Sequence, residues 1–139
     1  MVVNGTDAAR LGSAVALFVG TLYFGGSLLA ALIGDLTTAQ EHRLVWSPEV
    51  IGCVLFLVSG HLALVQLRRE RRRGSGTGLG WWIAVVNQVG SALFMAAAIA
   101  AFVRPTTGDE LAVGIANWST FAGAACFAVA GVMQEFAQP

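Results

Sequence analysis

Val89-Gly90-Ser91-Ala92-Leu93-Phe94 lies inside a run, 81–103, that contains no Asp, Glu, Lys or Arg. A bilayer's hydrocarbon core is about 30 Å thick and takes about 20 helical residues to cross, so this run predicts a transmembrane helix. Working outward, the pairing of a glycine with a phenylalanine four residues later recurs at Gly20/Phe24, Gly52/Phe56 and Gly123/Phe127. With 17 Gly and 8 Phe in 139 residues, chance would place roughly one such pair in the chain. Here there is one in each of four uncharged apolar runs, at 11–33, 50–67, 81–103 and 111–133. On a helix, positions i and i+4 share a face, so each segment presents a notch beside a ring.

Composition agrees. Charged residues make up 12% and apolar residues 56%, against roughly 25% charged in an ordinary soluble domain. A mean hydropathy of +0.71 leaves too little polar surface for a water-soluble globule. The apolar residues do not alternate as barrel strands would. The expected fold is all-α: a polytopic membrane protein, residues 1–139 forming a single four-helix transmembrane domain. The first run is longer than the 7–15 residues typical of a secretory leader, and is read as a retained span.

The chain has no lysine, so arginine sets the orientation. Arg68, Arg69, Arg71, Arg72 and Arg73 follow the second run and Arg10 precedes the first, while Arg43 and Arg104 lie in the other two loops. By the positive-inside rule the linker 68–80 and both termini are expected in the cytoplasm. The arginine cluster reads first as a topology determinant among lipid headgroups. An anionic-lipid or nucleic-acid patch is the weaker reading of the same charges, and no nucleic-acid partner is expected. Ser47-Pro48-Glu49 reads as the start of the second helix, with Trp46, Trp81 and Trp82 as an interfacial belt. Pro105 is expected to end the third helix.

The segments also pair by halves. Val19-Gly20-Thr21-Leu22-Tyr23-Phe24 aligns with Val89-Gly90-Ser91-Ala92-Leu93-Phe94, and Gly52 through Gly60 aligns with Gly123 through Gly131. This predicts two helical hairpins repeated in parallel, with Gly20, Phe24, Gly52, Phe56, Gly60, Gly90, Phe94, Gly123, Phe127 and Gly131 packing helix against helix. The four rings read alternatively as an aromatic constriction in a pore.

Together with Val45-Trp46-Ser47-Pro48-Glu49, Asn87 ahead of Gly90-Ser91, Pro105 with Thr107-Gly108-Asp109, and Thr120-Phe121-Ala122-Gly123, these elements resemble uncharacterised bacterial four-helix membrane proteins. Those are similar to the YrhK-like group and frequent in high-GC actinobacteria. The resemblance implies a bacterial inner-membrane protein and supplies no catalytic residue.

Polar residues inside a membrane are costly, which makes them candidates for function. His61 lies six residues inside the second span, and Asn87 and Gln88 lie at matching depth in the third, about 9 Å below the boundary. With Gln134 they form the candidate site for a proton or a small polar ligand. The competing reading is hydrogen bonding between helices. His42 and His61 fall on opposite sides, which argues against paired haem ligation. Cys53 and Cys126 lack metal-binding spacing, so no metal or cofactor is expected. No catalytic set is evident, and the chain is not read as an enzyme. Two functions remain: a non-enzymatic helix-packing subunit that self-associates or docks on a membrane partner, or a small transporter or channel with a polar site near the cytoplasmic leaflet.

Overall fold

The structure is a computed structural model that describes residues 5–75 and 78–137. It is all-helical. The elements are α1 (Gly5–Ile33), α2 (Thr38–Glu41), a π turn (His42–Trp46), α3 (Ser47–Arg72), α4 (Gly78–Ala100) and α5 (Val113–Ala137). Four helices are long and apolar enough to cross a membrane, with α2, the π turn and α3 running on as one helical stretch, Thr38–Arg72. The most buried positions are mainly small residues, among them Cys53, Ala97, Ala98 and Ala130, and many large apolar side chains are exposed. This is the arrangement that lipid favours, since close backbone packing replaces the hydrophobic drive between helices.

α1 packs along α3, α5 packs along α4, and α3 joins the two pairs through α4. The glycines set the distances. A Cβ on Gly20 would lie 3.1 Å from the Gly52 carbonyl oxygen, and one on Gly52 would lie 3.0 Å from the Gly20 carbonyl oxygen. In the second pair, a Cβ on Gly90 would press on Cys126 and Phe127 at 3.1 Å, and one on Gly123 on the Gly90 carbonyl oxygen at 3.1 Å. These glycines therefore lie where the helices of each pair approach most closely, and a methyl group there would need the neighbouring helix to give by a few tenths of an ångström.

The four phenylalanines close a ring. Centroid distances are 6.0 Å for Phe24–Phe56, 5.5 Å for Phe24–Phe94, 5.4 Å for Phe94–Phe127 and 6.1 Å for Phe56–Phe127. All lie within the 4.5–7 Å range of favourable ring pairs. Each long helix contributes one ring, and each ring touches two others.

Expected boundaries shift at both ends of the second span and at the end of the third. α3 begins at Ser47 with Pro48 and Glu49 in its first turn, but it continues a helical stretch that starts earlier, at Thr38. The N-cap is Thr37, whose Oγ1 accepts from the Gln40 N–H at 3.3 Å while Gln40 Oε1 accepts from the Thr37 N–H at 3.0 Å. That reciprocal pair is a capping box. Pro48 has no N–H to give, and the π turn just before it, closed by the Ser47 N–H on the His42 carbonyl, widens the helix so that it runs through the proline. At the other end, the arginines expected in a linker are helical as far as Arg72. Gly74, at φ 76°, then stops the helix. Its N–H donates to the Arg71 carbonyl and the Ser75 N–H to the Glu70 carbonyl, both at 3.1 Å, which is a Schellman ending.

α4 ends at Ala100, before the expected Val103: the Ala97 carbonyl keeps its helical donor, and those of Ala98, Ile99 and Ala100 find others. The Ala97 carbonyl accepts from the Ala101 N–H, Ile99 from Phe102, and Ala100 from Ala112. Ala98 accepts from Trp46 Nε1 at 2.8 Å. Trp46 thus caps a neighbouring helix rather than standing in a lipid belt. His42 supports it, stacked on Phe102 at 4.6 Å and donating from Nε2 to the Val103 carbonyl at 2.6 Å.

Candidate functional site

Below the phenylalanine ring, toward the arginine-bearing end, the four long helices leave a crevice of about 320 Å³. Phe56 and Phe127 roof it, and Ser13, Ser59, Asn87, Ser91 and Gln134 supply its polar lining. It continues along Leu67 and Ala137 to the arginine-bearing end, with Asn87 and Gln134 on both stretches of wall.

The serines are occupied with structure. Ser13 Oγ donates to the Ser59 carbonyl at 3.0 Å and Ser59 Oγ to the Ser13 carbonyl at 2.9 Å, which clamps α1 to α3. Ser91 Oγ donates to the Asn87 carbonyl one turn back, at 3.0 Å. The Asn87 and Gln134 carboxamides differ: neither has a hydrogen-bond partner among the described residues. A carboxamide offers two donors and an acceptor. The crevice wall contains no Asp, Glu, Lys, Arg or His. Its free chemistry is therefore neutral hydrogen bonding.

The four residues expected to form one cluster are distributed over three places. Asn87 and Gln134 share the crevice. Gln88 lies between α3 and α4, where Nε2 donates to the Leu57 carbonyl at 3.4 Å and Oε1 is buried without a partner. Its carboxamide fills the notch of Gly60, where a Cβ would overlap it. His61 is exposed on the outer side of α3, with no hydrogen bond among the described residues, and lines neither stretch of the crevice. The expected partnership of His61 with Asn87 or Gln88 does not form. Asn87 and Gln88 are adjacent in sequence and so point about 100° apart, which sends one to the crevice and one to the α3–α4 contact.

Gly131 also departs from its expected packing role. A Cβ there would meet open space, on a rim of the crevice. The arginines divide as well. The Arg68 and Arg71 guanidinium carbons stand 5.6 Å and 5.9 Å from the Trp81 ring, whereas Arg69 lies beside Gly5. Arg10 pairs with Glu70 at 2.7 Å, and Gln66 Nε2 donates to the same carboxylate oxygen at 2.8 Å.

Sequence reasoning passed over Ser13 and Ser59, though a signal was there. Gly20 and Gly52 oppose one another in an antiparallel pair, so residues seven before the first and seven after the second also oppose. Those residues are Ser13 and Ser59. Comparison with family models, curated proteins and solved structures finds no match for this chain.

Proposed function

We propose that this chain is a non-enzymatic four-helix subunit of the bacterial inner membrane that self-associates or docks on a larger membrane partner. In this reading it is built from two parallel hairpins, with the arginine-bearing end and both termini in the cytoplasm. The carrying observation is an unfilled interface. Matching Gly20 to Gly90 and Gly52 to Gly123 makes Phe18 the counterpart of Gln88, and Gly131 the counterpart of Gly60. Gln88 sits in the Gly60 notch and joins α4 to α3. Phe18 is 65% exposed and the Gly131 notch is open, and α1 and α5 do not pack as α3 and α4 do. A ridge and a notch at matching depth are thus left for another chain. His61 adds support, because an unpaired polar group facing hydrocarbon costs on the order of several kcal/mol and is relieved by a protein neighbour.

The test is disulfide trapping in membranes. Chains bearing Phe18→Cys and chains bearing Gly131→Cys, each with Cys53 and Cys126 replaced by Ala, are co-expressed and oxidised. A mixed dimer is expected. Monomer throughout, with a bond only when both cysteines share one chain, would overturn self-association through this seam.

A second reading, a small transporter or channel for a neutral solute, is favoured by the two unpartnered carboxamides in the crevice. Stopped-flow light scattering of proteoliposomes challenged with glycerol or urea tests it. Asn87→Leu should abolish any protein-dependent permeation, and permeation unchanged by that substitution removes the crevice as its route.

A further inference from the structure

Arg68, Arg71 and Arg72 are spaced i, i+3 and i+4 on the last turns of α3, which places them on one face. That face meets Trp81, near the start of α4, and the four side chains line a groove of about 400 Å³. Two of the guanidiniums stand over the same indole, at 5.6 Å and 5.9 Å. The nearest acid in sequence, Glu70, is turned away and held by Arg10 and Gln66. Among the described residues no carboxylate pairs with any of the three. Three like charges therefore converge on one groove without an internal counter-charge, an arrangement that an anion bound among them would neutralise. Arginine forks match phosphate oxygens two at a time, and the indole beside two of them suits the depth of lipid headgroups.

We propose that this groove binds a single phosphate group, and that Arg68, Arg71, Arg72 and Trp81 form a site distinct from the general positive charge of the region. The phosphate belongs either to an anionic phospholipid headgroup or to free phosphate in the water. The inference is independent of how copies of the chain assemble.

Arg69 and Arg73 supply an internal control, since they neighbour the groove residues in sequence but stand outside the groove. Arg71→Gln with Arg72→Gln removes the same charge as Arg69→Gln with Arg73→Gln. All three proteins are placed in phosphatidylcholine nanodiscs, where both faces are open to solvent. The thermal unfolding midpoint is followed against the fraction of phosphatidylglycerol and, separately, against inorganic phosphate at constant ionic strength. Ligand that binds the folded state raises the midpoint. The groove pair should weaken the apparent affinity roughly tenfold or more, the scale of one lost charge-assisted contact. The control pair should leave it nearly unchanged. A shift produced by inorganic phosphate as well assigns the site to free phosphate, and one confined to phosphatidylglycerol assigns it to the headgroup. Equal losses in both pairs would show only diffuse charge and overturn the site, as would no loss in either. Helical circular dichroism verifies that each variant is folded.

Discussion

At Gly90 the cost of a single methyl group is set by the ring of Phe127 and the Cβ of Cys126, both 3.1 Å from where it would sit. Overpacking of this kind costs about 1–3 kcal/mol. Gly90→Ala and Gly52→Ala should each lose stability on that scale when unfolding is followed in mixed micelles. Gly131→Ala should lose nothing and gain a few tenths of a kcal/mol, up to about 1, from helix propensity, because its Cβ has open space. Equal damage at Gly131 and Gly90 would show that the notches are not what holds the pairs together. The pairing of each glycine with a ring was legible in the chain, because i, i+4 spacing is a local property. Which glycine would stay empty was not legible. That depends on a residue of another helix, and Phe18 and Gln88 both look acceptable in an apolar span.

Helix ends are where elements owe most to distant partners. Trp46 donates to the Ala98 carbonyl at 2.8 Å. Trp46→Phe keeps the ring against Phe102 but leaves that carbonyl unpaired, a loss of about 1–3 kcal/mol. Amide exchange at 101–112 should quicken in this variant, because the turn joining α4 to α5 is anchored on the same helix end. Unchanged exchange there would mean that the indole N–H contributes nothing to the cap. Gly74→Ala should cost about 1 kcal/mol or more, since its φ of 76° is left-handed. The shorter second span expected from sequence followed the loss of apolar residues after Leu67, whereas arginine is itself a good helix former and carries α3 to Arg72. The Thr37 capping box was written in the chain as Thr-x-x-Gln, but Ser47-Pro48-Glu49 is the more familiar signal and drew the boundary to itself.

For the molecule as a whole, orientation is the property most open to direct measurement. Single cysteines at Gln40 and Thr107 should react with a membrane-impermeant thiol reagent from outside intact cells, and one at Ser75 only after the cytoplasm is opened. Labelling of Gln40 from the cytoplasmic side would reverse the arrangement. The number of spans was legible because bilayer thickness sets length and lack of charge marks each run. The packing of one hairpin on the other was not, because a single aligned pair of residues separates a filled contact from an open one. The capped end of α4 bears on how the protein is made. The first hairpin closes Ser13 with Ser59 and Arg10 with Glu70, and presents the Trp46 and His42 donors. The second closes its turn in part, Ala112 on Ala100 and Leu111 on Phe102, but its Ala98 and Val103 carbonyls draw on Trp46 and His42. A ribosome delivers those donors first and the acceptors later. Biogenesis therefore has a direction, in which the earlier hairpin waits in the bilayer as a template and the later one is completed only by arriving beside it.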